Sequence, residues 1–365
     1  MKNFTKIRFF ILAVFLILGM NVLLSCNSKS AGANSEKIGV LLKSEDESFW
    51  IDFKKYFTDI AEEKNLSLEI YASDNDPAIQ IDQLKTMLMN GVKGFVITAA
   101  SSDLTEQIAK IVNSQGGYVV FVNVMPTIDA LKISKNCYYS SSPETEAGAY
   151  QAEILHNYFS KHPDKLSGKT VNVLYFNGEY GHPAQIPRRA GFVEAMESKG
   201  YKVNFLTQFG ANWNRGSAKE SMNLWLKKNG VKNLNAVVCQ NDDMALGAVE
   251  AFIDNGFIDS KNSPMNDTDG DGTALAVPVL GVDATTAGRD SLAASQLYGT
   301  VFQDMKTQIE TALEIVTKCY SDGSAIGYVT SKGIKGAQKV STEAPLTDAA
   351  IISQCFIVPY VPVTK

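Results

Sequence analysis

The chain has 365 residues, of which 45% are hydrophobic and 20% charged, so its composition is that of an ordinary globular protein. The net charge is −5, and it becomes −8 without the three basic residues of the first 25, so the acidic body argues against nucleic acid as a partner. Because 340 residues follow residue 25, two domains are a better expectation than one.

The first 25 residues have the pattern of a secretory signal peptide. Lys2, Lys6 and Arg8 form a basic head, and residues 9–24 are almost wholly apolar. This apolar run is too short to predict a membrane span, and no second long apolar run follows it. We therefore interpret residues 1–25 as a signal peptide rather than as an anchoring helix.

Cys26 follows the apolar run directly. The stretch Leu23-Leu24-Ser25-Cys26 is similar to a bacterial lipobox, in which the cysteine thiol is acylated and becomes the new N-terminus. The alternative is an ordinary signal peptide with an incidental cysteine. Residues 26–36 would be the lipidated cysteine and a flexible polar tether. We expect an extracytoplasmic, periplasmic protein that is attached to a bacterial membrane through its lipid anchor only.

Strand patterns alternate with helical patterns from residue 37 onward. Short runs of β-branched and aromatic residues predict strands, and each is followed by a stretch with helical spacing of apolar residues. Nearly continuous apolar strands are typical of a parallel sheet covered on both faces. We therefore predict an α/β fold with two doubly wound parallel-sheet lobes. The predicted strands lie at 37–42, 66–72, 94–100, 118–124, 171–176, 203–209, 236–240 and 278–282.

Breaks in this alternation predict the lobe boundaries. The dipeptide Met125-Pro126 follows the fourth strand and is a hinge candidate. The strand-like tail over 356–361 has no helix beside it, so it must join an existing sheet, and the chain is expected to pass between the lobes more than once through a multi-stranded hinge. The predicted first lobe is 37–126 plus about 304–350, and the predicted second lobe is 127–303 plus about 351–365.

Aromatic and planar polar side chains recur where the predicted strands end. Ligands of such sheets bind beyond the carboxyl ends of the strands. Aromatic rings pack on the C–H faces of a sugar, while carboxylates, amides and arginine bind its hydroxyls. Trp50 and Trp225 are read as packing residues, and Asp242 as a candidate helix N-cap. The candidate ligand-binding residues are Glu47, Phe49, Thr98, His182, Arg188, Trp213, Asn241, Asp283 and Gln303.

Five stretches in the expected order give the chain a family resemblance. From residue 37 to the end, it resembles the type I periplasmic sugar-binding proteins of ABC importers, and most of all those that bind D-galactose and D-glucose. No one stretch is decisive, but together they agree with the α/β alternation. The stretches are 178–183 (GEYGHP), 241–251 (NDDMALGAVEA), 281–284 (GVDA), 299–301 (GTV) and 358–361 (VPYV).

The resemblance implies roles for the matching positions. The stacking aromatics of the family fall on Phe49 and Trp213, which come from different lobes, so closure would hold a sugar ring between them. The polar residues that bind the sugar fall on His182, Arg188, Asn241 and Asp283.

Four positions depart from the family pattern. Glu47 stands where the family has Asp, Thr98 and Gln303 stand where it has Asn, and Ala184 stands where it has Asp after His-Pro. Ala184 removes a carboxylate, which leaves the identity of the sugar open while the sugar class stays the expectation.

One acidic loop is a candidate calcium site. Its carboxylates alternate and a glycine follows, as in the first half of an EF-hand loop, but Pro278 stands where the last acidic ligand belongs. The loop over 162–169, where the family has its own calcium site, lacks alternating carboxylates. A plain acidic turn is the alternative interpretation. The candidate metal ligands are Asp267, Asp269 and Asp271.

The resemblance implies an extracytoplasmic solute-binding lipoprotein. Its two lobes would close on one monosaccharide, with glucose or galactose as the expected ligand, and deliver it to the permease of an ABC sugar importer. A chemoreceptor is a further partner that the resemblance implies. We expect a monomer that requires no cofactor and is not an enzyme.

Other functions were weighed against this one. A sugar-responsive transcription regulator is disfavoured by the signal peptide and by the lack of a helix-turn-helix before residue 37. A hydrolase has raw material for acid–base catalysis in Glu47 and Asp283, but no GxSxG, HExxH, phosphate-loop or clustered metal-ligand motif is present. A binding protein for a pentose, a nucleoside or another small polar ligand stays open because of Ala184.

Overall fold

The computed structural model describes residues 36–259, 266–336 and 348–365. The signal peptide, the lipidation site at Cys26 and the tether up to residue 35 lie outside the described residues, so these three stay predictions. Across the three described ranges, no helix is long and apolar enough to cross a membrane.

Strands and helices alternate, and the predicted α/β class is confirmed. A short 3₁₀ turn, Pro163–Lys165, precedes the sixth strand. Numbered along the chain, the described elements are β1 (Ile38–Leu42), α1 (Ser48–Lys64), β2 (Leu68–Ala72), α2 (Pro77–Met89), β3 (Gly94–Ile97), α3 (Leu104–Ser114), β4 (Tyr118–Val122), α4 (Ile128–Ile133), β5 (Cys137–Ser141), α5 (Glu144–Lys161), β6 (Thr170–Asn177), α6 (Gln185–Ser198), β7 (Lys202–Gly210), α7 (Arg215–Asn229), β8 (Ala236–Cys239), α8 (Asp242–Asp254), β9 (Val279–Leu280), α9 (Thr286–Ala293), β10 (Gly299–Phe302), α10 (Met305–Asp322), α11 (Ala349–Ile352), β11 (Cys355–Ile357) and β12 (Val361–Thr364).

The first lobe is built on a six-stranded sheet in the order β11-β5-β4-β3-β1-β2, and all of its pairs are parallel. Side chains of α2, α3 and α4 form the hydrophobic cluster on one face of the sheet. Side chains of α1 and α10 form the cluster on the other face. The strands are therefore covered on both sides, which explains why their sequences are almost continuously apolar.

The second lobe has its own six-stranded sheet in the order β12-β10-β9-β8-β6-β7. Its pairs are parallel except for β10 with β12, which is antiparallel. Helices α7 and α8 cover one face, and α5 and α6 cover the other. Both sheets thus have the doubly wound arrangement that the sequence predicts.

The chain passes between the two sheets three times. The crossings follow β5, β10 and β11, so three segments form the hinge. The first crossing lies at residues 142–143 rather than at the predicted Met125-Pro126, because β5 pairs with β4 in the first sheet. The sequence analysis had no strand here, since the serines of β5 interrupt the apolar pattern.

The tail also differs from its prediction as one strand. Residues 355–357 pair with β5 in the first sheet, and 361–364 pair with β10 in the second, so the segment from 351 to 357 belongs to the first lobe. Pro359 lies between the two strands and has no N–H to donate to a sheet, which is consistent with a break at this point.

Candidate functional site

A cavity of about 400 Å³ lies between the lobes, at the carboxyl ends of both sheets. Every predicted ligand-binding residue except Thr98 lines it. The strand ends meet here because all of the strands that carry these residues run parallel within their sheets. The lining residues are Lys43, Glu47, Phe49, Trp50, Asn75, Asn123, Glu179, Tyr180, His182, Arg188, Asn212, Trp213, Asn241, Asp283 and Gln303.

The aromatic wall of the first lobe comes from the first turn of α1. Phe49 and Trp50 meet edge to face, with ring centroids 4.8 Å apart and planes at 87°. Trp50 also packs against Phe53, at 5.7 Å. The sequence analysis read Trp50 as a packing residue only, whereas the structure places it both in the core and at the cavity.

Trp213 forms the aromatic wall of the second lobe. Its backbone is in the left-handed region, with φ of 64°. The indole lies directly against Gly178, where an added Cβ would come within 2.1 Å of the ring, so only glycine fits at that position. His182 contacts the same indole edge to face, with centroids 5.1 Å apart. The ring is therefore fixed before any ligand arrives.

Arg188 lies at the base of the cavity and is almost fully engaged by the protein. Its Nε donates to the Glu144 carboxylate at 2.6 Å, and its Nη2 donates to the Tyr360 hydroxyl at 3.0 Å. Its Nη1 donates to the carbonyl of Gln240. The guanidinium is thus held rigidly, with little hydrogen-bonding capacity left for a ligand.

Glu144 provides a buried carboxylate near Ala184. The resemblance places a carboxylate at position 184, but Ala184 is buried and shares a small void with Glu144. Glu144 belongs to the first turn of α5 and provides the buried carboxylate that Arg188 needs. Arg188 therefore has a buried carboxylate partner that comes from the hinge side of the second lobe.

Two buried polar groups face the cavity. Within the described part of the chain, the Gln303 Nε2 donor has no acceptor, and the Asp283 carboxylate has an ion pair with Arg188 that is longer than a hydrogen bond. The nearest opposite charge to Asp283 is Arg188 Nη1, at 4.0 Å. Burial raises the pKa of the Asp283 carboxyl well above its usual range, against the lowering effect of Arg188. Such groups require a partner, which a ligand hydroxyl would supply.

His182 adds a directed donor to this set. Its Nδ1 accepts a hydrogen bond from the backbone N–H of Ala184 at 3.2 Å. Burial, together with the charges of Lys43 and Arg188, holds the pKa of His182 well below its usual value. The imidazole is therefore neutral, with its proton on Nε2, and that nitrogen can donate to a ligand.

Asn241 lines the cavity but is largely occupied by structural bonds. Its side-chain oxygen accepts from the N–H of Met244 at 3.0 Å, which makes it the N-cap of α8. Its amide nitrogen donates to the carbonyl of Trp213, also at 3.0 Å. Asp242 was the predicted N-cap candidate, but its buried carboxylate instead accepts from Thr285 and Thr300.

Thr98 is the one predicted ligand-binding residue that does not line the cavity. It is buried at the end of β3, where its Oγ1 accepts from the backbone N–H of Lys43 at 2.7 Å. A direct ligand contact of Thr98 stays a prediction, since its hydroxyl already has a partner in the backbone. Its shorter side chain fixes the backbone of the neighbouring strand.

A charged group spans the two lobes at the cavity. Lys43 Nζ of the first lobe lies 2.6 Å from Glu179 Oε2 of the second. Glu47 lies beside this pair, and burial followed by the charge of Asp243 raises its pKa to about 7. Lys43 and Glu179 were not among the predicted ligand-binding residues, although Glu179 lies within the stretch 178–183 that carries the resemblance.

Asparagines form a further group that the sequence analysis missed. Asn75, Asn123 and Asn212 line the cavity with backbone φ of 63°, 64° and 51°. Asparagine tolerates this left-handed conformation better than most residues. An asparagine within a few residues of a predicted strand end was the signal that could have found them.

The predicted calcium loop does bring its carboxylates together. Oxygens of Asp259, Asp267, Asp269 and Asp271 all lie within 4.8 Å of one another, and oxygen donors of this kind suit calcium. However, the ammonium of Lys165 lies 2.5 Å from Asp269 and 2.6 Å from Asp271. A positive charge is thus already present among these carboxylates, and the donor set does not fit a calcium ion as it stands.

Comparison with known proteins identifies one matching family and several similar proteins. The family described as "Periplasmic binding protein domain" matches residues 38–321, which is more than three quarters of the chain. The D-galactose/methyl-galactoside binding periplasmic protein of Haemophilus influenzae is 26% identical over 312 residues, covering 85% of this chain and 87% of the relative.

Two further proteins are similar over most of their length. The xylitol-binding protein of Mycolicibacterium smegmatis is 25% identical and covers 80% of this chain and 75% of the relative. An ABC transporter periplasmic solute binding protein of Actinobacillus succinogenes, solved with bound D-allose, superposes with a TM-score of 0.70 at 18% identity, covering 90% of this chain and 97% of that one. The last comparison supports the fold alone.

Proposed function

The chain belongs to the periplasmic binding protein family, and we propose that it binds one monosaccharide or related polyol in the cleft and delivers it to an ABC-type importer. The observation that carries the proposal is a pair of buried groups at the cavity, the Asp283 carboxylate, whose ion pair with Arg188 is longer than a hydrogen bond, and the Gln303 Nε2 donor, which has no acceptor among the described residues. One is an acceptor and the other a donor. A ligand hydroxyl, which both donates and accepts, satisfies both types of group.

The aromatic walls support a ring-shaped ligand. Phe49 and Trp50 line the cavity from the first lobe, and Trp213 and Tyr180 line it from the second. A sugar offers C–H faces to such rings while its hydroxyls point to the polar groups between them. This combination of apolar walls and a few convergent polar groups is typical of small-molecule sites.

D-galactose and D-glucose are the first ligands that we propose. The similar proteins described above bind, by their names, galactosides and xylitol, and one was solved with D-allose. Because these ligands differ in ring form and hydroxyl arrangement, a pentose, a polyol, a nucleoside or another small polar solute is the alternative. The same cleft would bind any of them by the same chemistry.

The remaining features of the proposed function rest on the family resemblance and on the pattern of the first 36 residues. We propose that Cys26 carries a lipid, that the protein is extracytoplasmic and monomeric, and that its partner is an importer permease, with a chemoreceptor as a second partner. A Cys26→Ala variant expressed with its signal peptide is expected to leave the membrane fraction. Retention of that variant in the membrane would argue against the lipid anchor.

The test is a ligand titration of the soluble chain from Ser28 onward, unfolded and refolded to remove bound solute. We expect a saturable change of tryptophan fluorescence with D-galactose or D-glucose, tested beside D-allose, ribose, xylose, xylitol, myo-inositol and adenosine. Trp213→Phe is expected to reduce the signal to the part that Trp50 reports, and Trp225→Phe, which lies outside the cavity, to keep it. A saturable fluorescence change with another compound of the panel would identify that compound as the ligand instead. No fluorescence change with any compound would reject the proposal.

Asp283→Asn tests the observation that carries the proposal. We expect calorimetry to show about 10- to 100-fold weaker binding, the range for a hydrogen bond to a charged group. Asp290→Asn, on the exposed surface of α9, is the matched control and is expected to leave the affinity unchanged. Equal affinity of the Asp283 variant and the control would exclude Asp283 from ligand binding.

A hydrolase on the same fold is the second candidate, because two carboxyls with raised pKa values, Glu47 and Asp283, line one cavity. We expect binding without turnover. Prolonged incubation with methyl-β-D-galactoside should return the glycoside intact by NMR, whereas free galactose formed only with the active chain would establish hydrolysis.

A further inference from the structure

We propose that Asp52 and Asp243 form a reciprocal latch, in which each lobe supplies one aspartate that caps the first residue of a helix in the other lobe. The inference rests on the proposed function only in that lobe closure is the step that encloses the ligand. Neither aspartate lines the cavity, so both would act on closure rather than on the ligand.

The first half of the latch joins α8 of the second lobe to α1 of the first. Asp243 Oδ2 accepts a hydrogen bond from the backbone N–H of Ser48 at 3.0 Å, and Asp243 Oδ1 accepts from the Ser48 hydroxyl at 2.8 Å. Ser48 is the first residue of α1. Glu47 precedes it but makes no side-chain capping bond, so the capping carboxylate comes from the opposite lobe.

The second half repeats this geometry in the opposite direction. Asp52 of α1 lies in the first lobe, and its Oδ2 accepts from the backbone N–H of Thr286 at 2.9 Å. Its Oδ1 accepts from the Thr286 hydroxyl at 3.2 Å. Thr286 is the first residue of α9 in the second lobe. Each aspartate therefore binds one backbone donor and one hydroxyl of the same residue across the cleft.

Helix termini explain why these contacts favour the closed form. The first N–H groups of a helix have no partner within the helix, and a carboxylate there is favoured by hydrogen bonding and by the helix dipole. When the lobes separate, the same N–H groups and carboxylates return to water. Each half of the latch is thus present only in the closed form and adds to its population.

A third contact between the lobes, Lys43 with Glu179, is less suited to a test. Both residues line the cavity, so changing either one would alter ligand contacts and closure together. Asp52 and Asp243 do not line the cavity, so changing them alters closure without removing a ligand contact. A change in closure that follows their removal cannot come from a lost contact with the ligand.

Both donors of each contact, the backbone N–H and the hydroxyl, can be removed without damage to the helix. Proline is tolerated at the first helical position, where it has no N–H to donate. The residues before it are Glu47, with ψ of 154°, and Thr285, with ψ of 164°, and both have the extended backbone that precedes proline readily. Ser48→Pro and Thr286→Pro therefore delete both donors that each aspartate binds while keeping α1 and α9.

The test traps the closed form covalently in the ligand-free soluble chain from Ser28 onward. The paired changes Asp52→Cys and Thr286→Cys place two thiols at one half of the latch, and the rate of disulfide formation in a fixed redox buffer reports how often the lobes meet. The four described cysteines are free and buried, so they do not compete. Because no ligand is added, failure of the sugar titration and failure of this proposal are distinguishable.

Removing the other half should slow the trapping. Asp243→Ala in this background is expected to lower the rate about 2- to 30-fold, the range that a helix N-cap contributes. Asp254→Ala, at the far end of the same helix and paired with Lys219 in its own lobe, is the matched control and is expected to change nothing. Equal rates for the two variants would overturn the proposal, and so would the absence of any cross-link in the unchanged background.

In the reciprocal experiment, the paired changes Ser48→Cys and Asp243→Cys form the disulfide trap. Asp52→Ala then removes the other half of the latch, and Asp59→Ala in the same helix is the control. The same slowing of disulfide formation is expected.

A double-mutant cycle in the first trap, Asp52→Cys with Thr286→Cys, combines Asp243→Ala with Ser48→Pro. If the aspartate acts by capping Ser48, the double variant is no slower than either single variant, whereas additive slowing would show that Asp243 acts elsewhere.

Discussion

At the residue scale, the cavity contains polar groups of two kinds. Arg188 and Asn241 have their hydrogen bonds inside the protein, and they fix the positions of their neighbours. Asp283, Gln303 and His182 keep a free acceptor or donor towards the cavity. We therefore expect Asp283, Gln303 and His182 to bind the ligand. Arg188 and Asn241 are expected to keep the neighbouring residues in position.

Glu47 is expected to make ligand binding dependent on pH. Its pKa is raised to about 7 in the closed form, by burial and then by the charge of Asp243, which belongs to the other lobe. In an open form the carboxyl is hydrated and distant from Asp243, so its pKa lies nearer the ordinary 4.5. Closure thus takes up a proton, and it becomes less favourable as pH rises from about 4.5 to about 7.

The dissociation constant should consequently increase over that pH range, by up to about tenfold per pH unit, and level off above it. Calorimetric titrations between pH 5 and pH 8.5 measure this change. Glu47→Gln is expected to flatten the profile, because an amide does not titrate. Binding that strengthens steadily with rising pH in the unchanged chain would contradict the assignment.

At the scale of elements, a close helix crossing carries Arg188. Helices α5 and α6 meet at two glycines, where an added Cβ at Gly148 would lie 1.8 Å from the carbonyl oxygen of Arg188, and one at Gly191 would lie 2.0 Å from that of Thr145. Because the opposing atoms are backbone, the helices could not adjust without moving apart. Glycine at both positions therefore sets where α6 places its arginine.

Gly148→Ala is expected to destabilise the protein by about 1–3 kcal/mol, the usual cost of overpacking, and to weaken ligand binding by displacing Arg188. Urea unfolding measures the free energy of unfolding. Gly216→Ala in α7 is a matched control, since its Cβ would meet only the Asn214 side chain at 3.3 Å, and helices favour alanine. A Gly148 variant as stable as this control would disprove the packing argument.

The acidic loop over 267–272 yields a prediction about calcium. Lys165 already contributes a positive charge to Asp269 and Asp271, and it holds the pKa of Asp269 below its usual value against the opposing effect of burial. We expect no heat when the demetallated chain is titrated with calcium to millimolar concentration. Lys165→Met is expected to create measurable calcium binding, since the carboxylates then lack a cation. Strong binding by the unchanged chain would restore the calcium interpretation.

At the scale of the whole molecule, three chain segments join the two lobes, and the cavity lies between the lobes. Several parallel connections permit a hinge motion while restricting larger rearrangements. Hydrogen bonds and an ion pair cross the cleft in this structure, so it represents a closed form. Ligand binding and closure are therefore expected to be linked.

A saturating ligand should make the protein both more compact and more stable. We expect small-angle X-ray scattering to show a smaller radius of gyration on ligand addition, and thermal unfolding to shift upward. The expected stabilisation is about 2.7 kcal/mol at a ligand concentration one hundred times the dissociation constant. A ligand that binds tightly without changing the radius would indicate that the free protein is already closed.

Local sequence patterns are sufficient to predict the fold class and the edge of each sheet at which the site lies. Buried parallel strands are apolar along their whole length, and that pattern is local, so β1, β3, β6 and β8 are readable without a partner. Since the strand ends converge, residues such as Phe49, Trp213 and Asp283 could be placed at one cavity from their positions alone.

The role of each of those residues depends on contacts that form in the folded chain. The polar pattern of β5 hid a strand that becomes evident through its pairing with β4 and β11. Asn241 caps a helix, Thr98 supports a backbone and Lys165 joins an acidic loop, each through a contact that its residue type does not reveal. The latch depends on the same fact, because Asp243 lies 195 residues from Ser48 in the chain. Hydrogen bonds are set by distance and direction in space, and for residues so far apart only the folded chain brings donor and acceptor together.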